Sequence, residues 1–395
     1  MYKAVVFDLD GTLIESVPQY VNAFKQALKA YGFEKEAEKH NIARLLGKPS
    51  YDIIKILLPN KEEETIKQVH KKFLEITTSE EFRKSIELKP SAHEILSFLK
   101  KRKIKLFILS GSGKKNLDYF LERFKIKHYF IEVVHGEMEF KRKPDPEALH
   151  YLMKKHDLKK EEVLYVGDGE LDYLLAKNAE VRFIGVRSEV IDEEFAIKHK
   201  HALIYCLEEL KRYFLKRVIA VVGMAGSGKS SFIDALTRIR SMPVVYFGSI
   251  TFEVMKGQGF ESEKEAREWL RKQHGMEAYA KLSLPKIKEK LEKSNDVLID
   301  GLYSWEEYLY LKEELANHAY VILVAVVAPR ELRYYRLAHR NHRPFTREKA
   351  YLRDISEVNN LNKALPIVMA DFYVLNAGSK DKLNEDSDIF VSVVL

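Results

Sequence analysis

Val5-Val6-Phe7-Asp8-Leu9-Asp10-Gly11-Thr12-Leu13 decides how the first half of the chain is read. A short apolar run ends in two aspartates spaced i, i+2, followed at once by a glycine turn. If Ala4 to Phe7 is a buried parallel strand, side-chain alternation puts Asp8 and Asp10 on one side at its C-terminal end. Ligands of open α/β sheets sit at that edge. Two carboxylates there repel each other unless a cation is shared, and hard oxygen ligands suit Mg²⁺. A carboxylate nucleophile beside a second carboxylate that shuttles a proton is a workable pair for phosphoryl transfer. An Asp-Gly turn at a strand end accounts for the dipeptide alone, and much less well for all nine residues.

Working outward, 395 residues suggest two or three domains, and 46% hydrophobic with 32% charged residues allows each to bury a core. There is no run of eighteen apolar residues, so no membrane span is expected. The first strand begins almost at once, which leaves no room for a signal peptide, and a single cysteine, Cys206, has no partner in the chain. The expected location is cytoplasmic. A net charge of +7, spread along the sequence, fits phosphorylated ligands and is weak support for nucleic acid.

After Asp10, Pro18 opens a helical pattern in which Tyr20, Phe24, Ala27, Leu28 and Tyr31 recur at helical spacing, and Gly32 ends it. Further helical patterns over 36–46, 51–58 and 62–77 make residues 16–87 an inserted helical subdomain. The α/β pattern returns with helix 91–102 and strand 104–109, which ends in Ser110-Gly111-Ser112-Gly113-Lys114. This is not a phosphate-binding P-loop, because Ile108 stands where the first glycine is required. A hydroxyl at a strand end beside a helix N-terminus can still donate to a phosphate oxygen. Lys143 follows in a loop before Pro144, and strand 163–166 delivers Gly167-Asp168-Gly169-Glu170-Leu171-Asp172.

These four pieces, in this order, resemble the haloacid dehalogenase superfamily of phosphatases over about residues 1–212. The resemblance implies that Asp8 is the nucleophile, forming an aspartyl-phosphate, and that Asp10 protonates the leaving group and activates water. It implies that Ser110 and Lys143 bind the phosphoryl group. Mg²⁺ would sit on the Asp8 carboxylate, the Asp10 backbone carbonyl and Asp168, with Asp172 supporting the site. Dehalogenases of the family lack the second aspartate, so Asp10 favours phosphate chemistry. The insert at 16–87 corresponds to the cap of phosphoglycolate phosphatases and β-phosphoglucomutase, leaving a core of 1–15 and 88–212. A closing cap favours a small phosphorylated metabolite over a polymer. Lys48, in Gly47-Lys48-Pro49, is a candidate for substrate contact.

A second start lies near residues 211–216. Strand 218–222 runs into Gly223-Met224-Ala225-Gly226-Ser227-Gly228-Lys229-Ser230, a complete G-x-x-x-x-G-K-S, followed by a helix from Ser231. Backbone N–H groups around Gly223, Gly226, Ser227, Gly228 and Ser231 can wrap phosphates; Lys229 reaches the β/γ-phosphates and Ser230 ligates Mg²⁺. Asp296-Val297-Leu298-Ile299-Asp300-Gly301 reads as an apolar strand with Asp300 at the outer Mg²⁺ shell. Seven arginines, Arg330, Arg333, Arg336, Arg340, Arg343, Arg347 and Arg353, read as a mobile lid around Asn341–Pro344, with Arg336 and Arg340 clamping transferring phosphates.

Residues 216–378 resemble small kinases of the nucleoside monophosphate kinase type, particularly the dephospho-coenzyme A kinase-like branch, and the kinase domain is expected to span 216–395. One departure stands out. Ser249 and Phe252 occupy the places where such kinases carry an acidic residue and an arginine for the acceptor; Arg267, Arg271 and Lys281 are possible substitutes. The expected fold is α/β, with two doubly wound parallel-sheet domains. The expected function is a Mg²⁺-dependent phosphatase fused to a kinase that uses ATP as phosphoryl donor, acting on small metabolites and nucleotides, without membrane or nucleic-acid partners. Two alternatives stand beside it: a nucleotide-binding module gating the phosphatase, and a polynucleotide kinase/phosphatase, which the cap disfavours.

Overall fold

The structure, a computed structural model, describes residues 2–340 and 344–395. Tertiary contacts divide the chain into two units that meet in sequence at Lys211 and Arg212. Both are α/β, each built on a parallel sheet, as the alternation of apolar strand and amphipathic helix predicts.

The first unit contains β1 (Ala4–Phe7), β2 (Ile14–Glu15), β3 (Glu87–Leu88), β4 (Lys105–Leu109), β5 (Glu132–Val134), β6 (Val163–Gly167), β7 (Arg182–Val186) and β8 (Ala202–Ile204). The main sheet has the order β5-β4-β1-β6-β7-β8, all parallel. β1 is buried throughout, and its neighbours β4 and β6 are reached by crossovers to opposite sides. Strand order therefore reverses at β1, which opens a crevice at its C-terminal end. Phe7 lies in register with Ile108 and Val166, so the loops after β1, β4 and β6 open at the same edge.

The insert lies between β2 and β3, which pair antiparallel. Its main helices are Val17–Lys29, Ser50–Leu57 and Glu63–Thr78. Ala23, Phe24, Ala27 and Leu28 form the buried stripe of the first, and Phe24 stacks on Phe73 of the last with centroids 4.0 Å apart. Pro18 stands in the first turn, where its missing N–H leaves no bond unmade.

The second unit contains β9 (Lys216–Val222), β10 (Val244–Tyr246), β11 (Asp296–Asp300), β12 (Ala319–Val327) and β13 (Phe372–Leu375), in the parallel order β10-β11-β9-β12-β13. Again the first strand is flanked on both sides and its C-terminal end lies at a switch point. β9 starts two residues before the apolar run read from sequence. Arg217 can occupy a buried strand position because its Nε donates to Asp296 Oδ1 at 2.5 Å and its Nη1 to the Leu395 carbonyl at 2.5 Å. Helix Lys229–Ile239 follows the glycine-rich loop directly. Helices Arg330–Ala338 and Arg347–Asn359 flank the proposed lid tip, of which Asn341, His342 and Arg343 lie outside the described residues. Among the described residues, no helix is long and apolar enough to cross a membrane.

Candidate functional site

At the β1 edge, Lys143 Nζ donates to Asp8 Oδ1 and to Asp172 Oδ1, both at 2.7 Å. All three side chains are at most 10% exposed. The loop before helix Glu147–Lys155 thus delivers one ammonium between the carboxylates that follow β1 and β6. Carboxylate oxygens of Asp8, Asp168 and Asp172 lie within 4.8 Å of one another. Tyr165, inside β6, donates to Asp172 Oδ1 at 3.0 Å, Gly169 N donates to its Oδ2 at 3.1 Å, and Thr12 donates to Asp168 Oδ1 at 2.9 Å.

Asp10 has hydroxyl partners of its own. Its Oδ1 accepts from Ser16 at 2.8 Å and its Oδ2 from Ser112 at 2.5 Å. Ser110 is buried at the end of β4, and its Oγ accepts from Ser112 N at 3.1 Å. Burial pushes the Asp8 carboxyl well above the usual range; Lys143 opposes this, and Asp172 and Asp168 reinforce it. Burial likewise raises Asp10, against the two serine hydrogen bonds. Asp168 is pushed up to about 7 by burial first and the Asp172 charge second.

Gly11 is fixed by two constraints. Its φ is +75°, and a Cβ there would collide with the Asp168 carboxylate. On the cap side, Gly47 stands opposite Leu171, with a Cβ position 3.2 Å from Leu171 Cδ1, while Lys48 is exposed.

In the second unit, the loop from Gly223 to Gly228 joins β9 to its helix, with Lys229 and Ser230 in the first turn. Lys229 Nζ donates to the Gly223 carbonyl at 2.8 Å and the Met224 carbonyl at 3.3 Å. Burial, then the charge of Lys363, pushes its ammonium down to about 7. Asp300 ends β11, and its carboxyl is raised by burial, against the Lys229 charge.

The arginines divide by partner. Arg333 forms a two-pronged pair with Asp354 at 2.9 and 2.6 Å and also donates to the Ala225 carbonyl at 3.0 Å. Arg336 donates to the Asn376 backbone carbonyl at 3.1 Å and to its side-chain oxygen at 3.4 Å; Asn376 Nδ2 donates to the Ser227 carbonyl at 2.9 Å. Both arginines therefore touch the glycine-rich loop or its brace. Arg340 stacks over Phe345 at 4.5 Å. Of the possible acceptor-side cations, Arg267 pairs with Glu263 at 2.6 Å and Lys281 with Glu277 at 2.8 Å, each within its own helix end, whereas Arg271 keeps a buried Nε without a hydrogen-bond partner. Ser249 starts helix Ser249–Gln258, and Phe252 is exposed on it.

Known proteins match these two halves separately. Residues 5–186 match the family described as haloacid dehalogenase-like hydrolase. Phosphoglycolate phosphatase of Vibrio cholerae is 34% identical over 188 residues, which cover 45% of this chain and 80% of that protein. The chain belongs to the haloacid dehalogenase-like hydrolase family. Phosphoglycolate phosphatase of Vibrio parahaemolyticus is 30% identical over 183 residues, with the same shares covered. Phosphorylated carbohydrates phosphatase of Thermotoga maritima is 27% identical over 185 residues, covering 47% of this chain and 85% of that protein. Residues 219–359 match a family described as AAA domain, consistent with a P-loop unit appended to the hydrolase.

The hydrolase unit suits a divalent cation. Three carboxylates within 4.8 Å offer hard oxygen ligands, and their mutual repulsion is what such an ion relieves. Motif reading did not find Thr12, Ser16, Ser112 or Tyr165 as partners of the aspartates. Ser112 stands two residues beyond Ser110, the spacing that returns a side chain to the same side of an extended segment, and was open to detection on that ground. Tyr165 sits in an apolar strand and carries no local signal. Lys363 and Glu357, whose charges act on Lys229, were also missed.

Proposed function

We propose that the first unit is a Mg²⁺-dependent phosphatase of small phosphate esters. The observation that carries this reading is the Asp8–Lys143–Asp172–Asp168 cluster at the β1 switch point, with Asp10 held by two hydroxyls. Asp8 attacks phosphorus; the P–O bond to the leaving alcohol breaks, and protonated Asp10 gives that oxygen its proton. Asp10, now a carboxylate, takes a proton from the water that attacks phosphorus next, releasing inorganic phosphate and restoring Asp8. Burial that raises Asp10 supports its role as an acid. Lys143 and Ser110 serve to neutralise and hold the phosphoryl oxygens. Asp8 and Asp168, with the Asp10 backbone, would hold Mg²⁺, and Asp172 would support them. The bound ion would offset charge on the phosphoryl oxygens as two anions meet. The matched relatives act on phosphoglycolate or phosphorylated carbohydrates by name, and a small phosphorylated metabolite of that kind is the substrate class we assign.

The second unit is read as an ATP-dependent kinase of a small molecule or nucleotide. Lys229 and Ser230 would hold the β/γ-phosphates and Mg²⁺, Asp300 would stand behind the ion, and Arg336 and Arg340 would act on the transferring group. The whole chain is then bifunctional. Asp8→Asn should lower hydrolysis of small phosphate esters by on the order of 10⁴-fold, the scale on which a covalent nucleophile is lost, and leave nucleotide binding intact. Full turnover in that variant rejects Asp8 as nucleophile. For the second unit, the full chain with labelled ATP and a panel of nucleosides, nucleotides and dephospho-coenzyme A should label an acceptor. Nucleotide binding with no labelled acceptor replaces the kinase by a nucleotide-gated module.

A further inference from the structure

The insert returns to the sheet through helix Glu80–Ser85 and Ile86, just before β3. The last four carbonyls of a helix have no partner within it. Here side chains take all four, and most of the donors come from other elements. Phe82 O accepts from Ser85 Oγ at 2.8 Å, and Ser85 O accepts from Gln19 Nε2 at 3.3 Å, in the first turn of helix Val17–Lys29. Arg123 supplies the rest. Its Nη1 donates to the Arg83 carbonyl and, at 2.8 Å, to that of Ile86, and its Nη2 donates to the Lys84 carbonyl at 3.0 Å.

Arg123 is the last residue of helix Lys114–Arg123, which lies outside the insert. The grip is returned from the other side. Arg83 Nη2 donates to Asn116 Oδ1 at 2.7 Å, and its guanidinium stands 5.0 Å from the Tyr119 ring centre, both on that same helix. Arg83 Nε stays buried without a hydrogen-bond partner among the described residues. Ending a helix does not call for two arginines crossed in this way, since a glycine in the left-handed conformation does it locally. A planar guanidinium that meets three acceptors fixes direction as well as distance. The helix that ends in Arg123 begins directly after Ser110-Gly111-Ser112-Gly113, where Ser112 donates to Asp10 Oδ2 at 2.5 Å. One element thus has a partner of Asp10 before its start and the exit of the insert at its end.

On the reading that the first unit is a phosphatase whose insert covers the β1 edge, we propose that Arg123 is a positioning residue that holds the insert over the site. Without it the insert swings outward on the β2 and β3 connections. Arg83 is the returning arm of the clasp. Gly47, whose Cβ position lies 3.2 Å from Leu171 Cδ1, marks where the held insert rests against the segment between Asp168 and Asp172. Arg123 is exposed on its remaining side, so each of its bonds is weak singly and the three act together.

The test uses the full chain with the single exposed cysteine replaced, Cys206→Ser, and spin labels on cysteines introduced at two exposed lysines. Lys67 lies on the insert helix Glu63–Thr78 and Lys154 on helix Glu147–Lys155 of the sheet. Label-to-label distances should fall mainly in one population when Arg123 is present. Arg123→Met should add a longer one and raise the ratio of displaced to held molecules about fivefold or more, the scale of one partly exposed charged hydrogen bond. Arg123→Lys should restore part of the held population. Saturating ester draws the insert back, so with p-nitrophenyl phosphate or 2-phosphoglycolate KM should rise by the factor by which the held fraction falls, while kcat stays within about twofold. If Arg123→Met does not fold, Arg83→Met leaves every carbonyl bonded and should give the same displacement to a smaller degree. An unchanged distance in a protein that merely melts earlier reduces Arg123 to a helix cap and overturns the proposal, as does a fall in kcat at constant KM. Unaltered protein that hydrolyses neither ester rejects the phosphatase reading, and the distance measurement then decides Arg123 by itself.

Discussion

Lys229 carries its proton loosely. Burial brings its ammonium to about 7, whereas an unfolded lysine titrates near 10.4. Between those values the unfolded chain holds one more proton than the folded one, so the ligand-free unit gains stability as pH rises through that window. Bound phosphate reverses the shift, because an anion favours the charged form. Nucleotide binding should therefore take up close to one proton at about pH 8.5 and almost none at about pH 6, read by calorimetry in buffers of different ionisation heat. Gly11 makes a second prediction at this scale. Gly11→Ala must adopt a left-handed φ, worth about 1–2 kcal/mol, and also displace Asp168, so it should lower both the melting temperature of the hydrolase unit and its Mg²⁺ affinity. Asp8 and Asp10 as a pair of carboxylates at a strand end were legible, because an apolar run and a following glycine mark them locally. Ser16 and Ser112 as the partners of Asp10 were not, because which hydroxyl reaches a carboxylate depends on how separate loops meet.

Elements were read more securely than their orientations. Each strand that carries chemistry announces itself by an apolar run closed by a motif, and β1, β6, β9 and β11 all appear where such runs stand. Helix Arg347–Asn359 shows what pattern alone misses. It buries Ala350, Asp354 and Glu357, while Tyr351, Leu352, Ile355 and Val358 are 41–58% exposed. A reading by hydrophobicity would turn this helix the other way. Ion pairs to Arg333 and Lys363 hold the carboxylate face inward. Arg333→Ala leaves Asp354 buried with its charge uncompensated, and should destabilise the second unit by about 3–5 kcal/mol in denaturant unfolding, with release of the loop at Ala225.

Taken whole, the molecule places two candidate sites at equivalent positions of two separate parallel sheets, each where strand order reverses around a central strand. The residues named at each candidate site come from that unit's own stretch of sequence. Lys229→Met should accordingly abolish phosphoryl transfer from ATP while ester hydrolysis persists, and Asp8→Asn should do the reverse. Chelation of divalent ions should stop both, measured side by side on one preparation.

The bond from Asn376 to the Ser227 carbonyl also sets an order of assembly. On the ribosome, the hydrolase sheet is complete once β8 has emerged, before the glycine-rich loop has been made. That loop then waits for its brace, because Asn376 lies 149 residues further on and Arg336 leans on it in turn. During synthesis the nascent protein should therefore hydrolyse esters well before it can hold a nucleotide. A chain stopped after Ala370 should keep the first activity and lack the second, however intact its G-x-x-x-x-G-K-S.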